Sequence, residues 1–85
     1  MHKATSRFWN LLEELPQNVK HVAEENIELL KHDPSHPSLH FKKVGQYWSA
    51  RIGSDYRALA YKQNADYIWV WIGSHDEYLI MLKRK

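Results

Sequence analysis

Apolar positions along this chain recur first at helical spacing and then at strand spacing. Phe8, Trp9, Leu11, Leu12 and Leu15 form a stripe three and four residues apart, and Thr5 or Ser6 stands ready to cap it. Pro16 ends that helix and suits the first turn of the next. Val19, Val22, Ala23, Asn26, Ile27 and Leu30 continue the i, i+3, i+4, i+7 rule while Lys20, Glu24, Glu25, Glu28 and Lys31 face outward, so the pair reads as a helical hairpin with one shared apolar face. Pro34 and Pro37 in the stretch His32–Ser38 forbid its continuation.

From Leu39 the period is two. Leu39, Phe41 and Val44, then Trp48, Ala50 and Ile52, then 56–61 and 67–72 read as strands, separated by Gly45-Gln46, Gly53-Ser54-Asp55 and Asn64-Ala65-Asp66. Strict alternation in the last run puts Ile68, Val70 and Ile72 against the helices and Trp69 and Trp71 on the other face. The segment from Asp76 to Leu82 forms a short closing helix before Lys83-Arg84-Lys85. The expected architecture is α+β: a helical hairpin on one face of a small antiparallel sheet of three to four strands, then a short C-terminal helix.

With 85 residues the chain is expected to form one small domain, and four Trp, five Tyr and two Phe supply much of its apolar area. Cysteine is absent, which removes disulfides and thiolate metal sites and agrees with a cytoplasmic setting. No run approaches the roughly 18–20 apolar residues that span a bilayer, and Met1-His2-Lys3 leads into no apolar leader, so no membrane partner is expected. The net charge of +2 is uneven: residues 1–38 carry four Lys/Arg against six Asp/Glu, residues 39–85 eight against four. Basic charge collects where the aromatic residues do, which suits an anionic partner such as nucleic acid.

Several residues carry candidate chemistry. His32, His36 and His40 have a spacing that binds metal on a helix, but prolines interrupt it, so no metal site and no cofactor is expected. His32 is then a favourable cation at a helix C-terminus. Arg51 and Arg57 flank the Gly53-Ser54-Asp55 turn. They share a face if the loop has an odd number of residues and oppose faces if it has two. Paired, they grip a phosphate and balance charge developing on its oxygens. Lys42 and Lys43 suit contact with nucleic-acid backbone, although lysines also mark solvated strand edges. Trp48, Trp69 and Trp71 either stack bases or belong to a core or a partner-covered patch.

The segment Gly73-Ser74-His75-Asp76-Glu77-Tyr78 places a histidine, two carboxylates and a tyrosine at a strand end. Asp76 and Glu77 read as first-turn acids that favour the helix dipole. Histidine is the side chain most easily moved between acid and base near neutral pH, and Tyr78 donates a hydrogen bond or stacks. If this segment lies near Arg57, then His75, Tyr78, Arg51 and Arg57 suit cleavage of a phosphodiester by the neighbouring ribose 2′-hydroxyl.

The order Leu15-Pro16, an amphipathic helix, Asp33-Pro34, Leu39, Lys42-Lys43, then Y-W-S-A-R-I-G-S-D-Y-R (47–57) and G-S-H-D-E-Y (73–78) resembles the RelE/ParE toxin superfamily over most of the chain. The resemblance implies a sheet with a helical hairpin on one face and a co-encoded antitoxin as partner. It also implies, in the nuclease members, cleavage of mRNA in the ribosomal A site. By position it implies that Arg57 stabilises the transition state, that His75 and Tyr78 act as acid and base, and that Arg51 is the second arginine. Lys42, Lys43 and His40 become RNA contacts, with His75, His40 and Lys43 the choices for the general base. The ParE branch implies a rival activity, poisoning of DNA gyrase by binding alone, and an inactive homologue that only binds antitoxin is a third reading. Two departures stand out: the family's N-terminal strand is missing or cut to a few residues, and strand lysines of some members are replaced by Trp48 and Ala50.

Overall fold

The computed structural model describes residues 2–33 and 35–83. Its elements are β1 (His2–Ala4), α1 (Ser6–Glu13), α2 (Gln17–His32), a 3-10 turn at Pro37–Leu39, β2 (Lys42–Val44), β3 (Tyr47–Ile52), β4 (Tyr56–Gln63), β5 (Asp66–Ser74) and α3 (His75–Lys83). Pro34, one of the two helix-breaking prolines, lies outside the described residues, as do Arg84 and Lys85 of the basic tail. No described helix is long and apolar enough to cross a membrane.

Thr5 caps α1, its side chain accepting from the Phe8 amide at 3.2 Å, and Pro16 stands at the N-cap of α2. The stripes predicted from the periodicity face the sheet except at Trp9, which is exposed on α1: Phe8, Leu12, Ala23 and Leu30 are buried against Ala50, Ile52, Ala58, Ala60 and Ile72. Each large side chain so buried contributes about 1.5–3 kcal/mol. Asn26, a polar member of the α2 stripe, donates its side-chain amide to the Arg51 carbonyl at 3.1 Å and so ties the hairpin to the end of β3.

The sheet has five strands in the order β1-β5-β4-β3-β2. Four are antiparallel neighbours, as the alternation predicts, although the stretch before Gly45 becomes a strand only at Lys42, with Leu39 buried in the 3-10 turn. The fifth is the short N-terminal strand, three residues paired parallel to β5, which makes the sheet mixed. It is held by the Thr5 amide on the Trp69 carbonyl at 3.0 Å and by Lys3 on Asp66 at 3.2 Å.

The face assignment of β5 needs correction. Leu59 pairs with Trp71 and Ala60 with Trp69, so a bulge at Val70 shifts the register. One extra residue reverses the alternation upstream of it. Trp69 therefore joins Phe8 and Ile72 in the helix-side core. Val70 packs with Trp71, Leu59 and Tyr78 on the opposite face, beneath α3.

β1 also places His2 in an aromatic cluster. Its ring stacks on Tyr67 at 5.2 Å, and its Nδ1 accepts the Trp69 indole N–H at 3.0 Å. That bond requires an unprotonated Nδ1. Burial foremost, then nearby positive charge including Lys31, lowers the His2 pKa from its ordinary 6.5. The unfolded chain then binds the proton more tightly, so this contribution to stability is present above about pH 6.5 and is lost as pH falls through the folded value. Wild type is expected to lose melting temperature more steeply than His2→Phe between pH 7 and pH 5. Parallel curves in a thermal-denaturation series would refute it.

Candidate functional site

The β3–β4 turn has three residues, Gly53-Ser54-Asp55, with Gly53 at φ +64°. Its odd length sets Arg51 directly opposite Arg57 in the strand register, so both lie on the face away from the helical hairpin. Like charges directly across a strand pair destabilise it. No carboxylate of the described residues lies within ion-pair distance of either guanidinium. Instead Arg57 Nη1 donates to the Tyr56 carbonyl at 2.8 Å and Arg51 Nε to the Gly53 carbonyl at 3.0 Å. Arg57 is half-buried, and its pKa is lowered from the ordinary guanidinium value by burial first and by Arg51 second, with Tyr78 and Asp55 acting in the opposite sense. The guanidinium stays charged. It is a partly desolvated cation, repelled by its neighbour, and a bound anion would relieve both penalties.

The β5–α3 junction closes on this turn. The His75 amide donates to the Asp55 carbonyl at 2.7 Å, which brings the two segments together at the sheet end. A hollow of about 380 Å³ lies between them, lined by Ser54, Asp55, Tyr56, Arg57, Ser74, His75 and Asp76. The His75 and Tyr78 rings are 5.9 Å apart. Tyr78 is buried, only 7 % exposed, and packs with Leu59 and Trp71. No buried polar side-chain atom of the described residues lacks a hydrogen bond. Tyr78 lies close enough to Arg57 to act on its charge.

Asp76 and Glu77 stand in the first turn of α3, and the cap itself is Ser74. Its Oγ accepts the Glu77 amide at 3.2 Å, and Glu77 Oε1 accepts the Ser74 amide at 3.1 Å. This reciprocal capping box is the Ser74-x-x-Glu77 spacing of the sequence. Ser74→Ala is expected to cost about 1 kcal/mol, read by chemical denaturation, and to loosen His75, the first residue of the helix. An unchanged midpoint would remove the cap from the account.

The remaining candidates separate. His40, in a left-handed conformation at φ 45°, sets Nε2 3.4 Å from Arg51 Nη1 and so joins the arginines. Lys42 pairs with Ser49 and shares the arginine face, whereas Lys43 pairs with Trp48 on the helix side. Of the tryptophans, Trp69 and Trp71 are 5 % and 7 % exposed and belong to the core, and Trp48 packs against Phe41 and Tyr67. None of the three lies open on the arginine face. His32 sits by Glu28 at 3.8 Å, and His36 caps the 3-10 turn through Ser38. The described residues hold no group of three or more His, Asp or Glu placed to bind a metal ion.

A hairpin laid on a small mixed sheet, with a third helix on the far face, is the architecture of the RelE-type toxins. The family model for the ParE-like toxin domain matches residues 17–79, and the chain belongs to that family, within the RelE/ParE toxin superfamily. The fold is similar to a chain of the RelB–RelE antitoxin–toxin complex from Methanococcus jannaschii, with TM-score 0.72, 17 % identity and coverage of 93 % of this chain and 96 % of that one. It is also similar to YafQ from E. coli, with TM-score 0.68, 12 % identity and coverage of 92 % and 96 %. A chain of the archaeal RelE–RelB complex from Pyrococcus horikoshii OT3 gives TM-score 0.63 and 20 % identity, with coverage of 86 % and 91 %. No curated protein matches the chain.

Proposed function

We propose that this chain is the toxin of a type II toxin–antitoxin pair and that it cleaves mRNA on the ribosome, in the cytoplasm, through attack by the ribose 2′-hydroxyl. The observation that carries the reading is Arg57, opposed to Arg51 with no carboxylate of the described residues at ion-pair distance, lining one hollow with His75, whose ring is paired with that of Tyr78. Any bound anion relieves that repulsion, so it is the acid/base pair beside Arg57 that turns the reading toward cleavage. A phosphate offsets it, and a phosphorane, with more charge on its oxygens, offsets it further.

In this mechanism His75 takes the proton from the 2′-hydroxyl. The new 2′-O–P bond forms as the P–O5′ bond breaks, Arg57 holds the phosphorane oxygens, and Tyr78 protonates the departing 5′-oxygen. The products are a 2′,3′-cyclic phosphate and a free 5′-hydroxyl. Arginine supplies the cationic stabilisation, so no metal ion is needed. His40, beside Arg51, is the second choice of base, while Lys43 faces the hairpin and is set aside. The antitoxin partner is supported by two similar chains that come from antitoxin complexes.

The test is mRNA cleavage in translating ribosomes, mapped by primer extension, with His75→Ala and Arg57→Ala beside wild type. Cuts within codons that need ribosomes, persist in EDTA and fall by orders of magnitude in both variants are expected. Intact message at protein levels that still arrest growth would sink the nuclease. A second reading, gyrase poisoning by binding alone, is favoured by the ParE-like family match. It predicts trapped gyrase–DNA cleavage complexes that survive the His75 substitution.

A further inference from the structure

The hollow between the β3–β4 turn and the start of α3 holds an ionised group that the mechanism leaves idle. Arg57 and His75 have chemical roles there, Ser74 is engaged in the cap, and Asp76 favours the helix dipole. Asp55 lines the same hollow and is exposed. A turn aspartate ordinarily folds its carboxylate back onto the backbone two residues on. Among the described residues, the Asp55 carboxylate takes neither a hydrogen bond nor an ion pair. Its backbone is fixed all the same. The Asp55 carbonyl accepts the His75 amide at 2.7 Å, which holds the residue beside the proposed base. Its charge also reaches the Arg57 guanidinium, whose pKa it raises against burial and Arg51. With no ion pair between them, Arg57 keeps its N–H groups for a phosphate.

A carboxylate in a site for a polyanion repels its ligand. That repulsion is offset where the ligand brings N–H donors to the carboxylate. A hollow of about 380 Å³ has room for more than a phosphate, and the base is the part of a nucleotide that carries such donors. Guanine sets two of them side by side on its Watson–Crick edge, N1–H and the N2 amino group, and so can meet both carboxylate oxygens. Adenine and cytosine offer an amino group beside a ring acceptor. Uracil offers one N–H between two carbonyls, which a carboxylate repels.

We propose that Asp55 is a specificity residue of this site, its carboxylate reading the Watson–Crick edge of a guanine that flanks the scissile phosphate and disfavouring uracil there. The proposal rests on the nuclease reading and deepens it: the hollow divides into a cation for the phosphate and an anion for the base. Leaving a charge unpaired against the wrong base gives a selectivity that attraction alone does not.

The experiment programs ribosomes with synthetic mRNAs that carry guanosine, inosine or uridine at each position of the A-site codon in turn, and measures kcat/KM for cleavage. At one position beside the cut, wild type is expected to favour guanosine over uridine by about 5- to 100-fold. Inosine, which lacks only the N2 amino group, should fall between them. Asp55→Asn removes the charge and one acceptor but keeps the backbone carbonyl that holds His75. It should lower the guanosine rate, raise the uridine rate and bring inosine level with guanosine, at an unchanged melting temperature. Equal cutting of guanosine and inosine by wild type at every position overturns the proposal and leaves the nuclease reading intact, and that arm needs no variant. An equal loss on all three messages in Asp55→Asn also overturns it and makes Asp55 a support for His75. Should Asp55→Asn keep the wild-type preferences, the carboxylate reads no base. A wild type that cuts no message overturns both readings.

Discussion

Arg57→Ala is expected to lower the rate of mRNA cleavage by about 10²–10³-fold while leaving the melting temperature unchanged or slightly raised. The two halves of that result have one cause. Arg57 is held half-buried, opposite Arg51, and among the described residues its hydrogen-bond acceptor is a backbone carbonyl. In the absence of an anion that arrangement costs folding free energy, and removing the charge returns it. A residue kept for stability would show the reverse, a lower melting temperature with activity falling only in proportion. Arg57→Lys is the sharper control, since it keeps the charge but loses the planar fork that meets two phosphate oxygens at once. It should recover only a small part of the lost rate. Arg51→Ala should cost less than Arg57→Ala, because Arg51 Nε is committed to the Gly53 carbonyl and the side chain leans toward His40 rather than His75. Equal rates for wild type and Arg57→Ala on programmed ribosomes would end the nuclease reading.

Much of this geometry was legible in the sequence because it depends on period and parity. The α1 and α2 stripes follow from burial of one helical face, and the parity of the turn between Arg51 and Arg57 decides whether they share a face. What stayed hidden depends on single residues that break a period. The bulge at Val70 leaves no compositional mark, since Val and Trp are both good strand residues. Yet it moves Trp69 into the helix-side core and Val70 out of it. The three residues of β1 are too few for any alternation to register, and their pairing with β5 crosses most of the chain. For the site, chemistry pointed to Arg57, His75 and Tyr78, and the structure gathers them at one end of the sheet.

Gly73→Ala is expected to destabilise the protein by about 1–3 kcal/mol, a large share of the roughly 5–10 kcal/mol that holds a domain of this size. The reason is space rather than backbone conformation. A Cβ at Gly73 would meet Trp71 Cζ2 at 2.5 Å, Cη2 at 2.8 Å and Glu77 Oε1 at 3.0 Å. Gly73 pairs with Arg57 across β4–β5, and the indole two residues before it fills the room the missing side chain leaves. That ring in turn packs with Leu59 and Tyr78 to seat α3. Displacing it tilts the helix that carries His75 and Tyr78, so activity should fall along with stability. The decisive comparison is a double-mutant cycle with Trp71→Phe, which removes the two ring carbons nearest the new methyl. If the indole is the obstacle, Gly73→Ala becomes nearly neutral in the Phe background, a coupling of about 1–3 kcal/mol by chemical denaturation. Should the cost persist there, the Glu77 carboxylate is what resists. The same substitution would then open the Ser74–Glu77 capping box and weaken α3 from its first turn rather than from beneath.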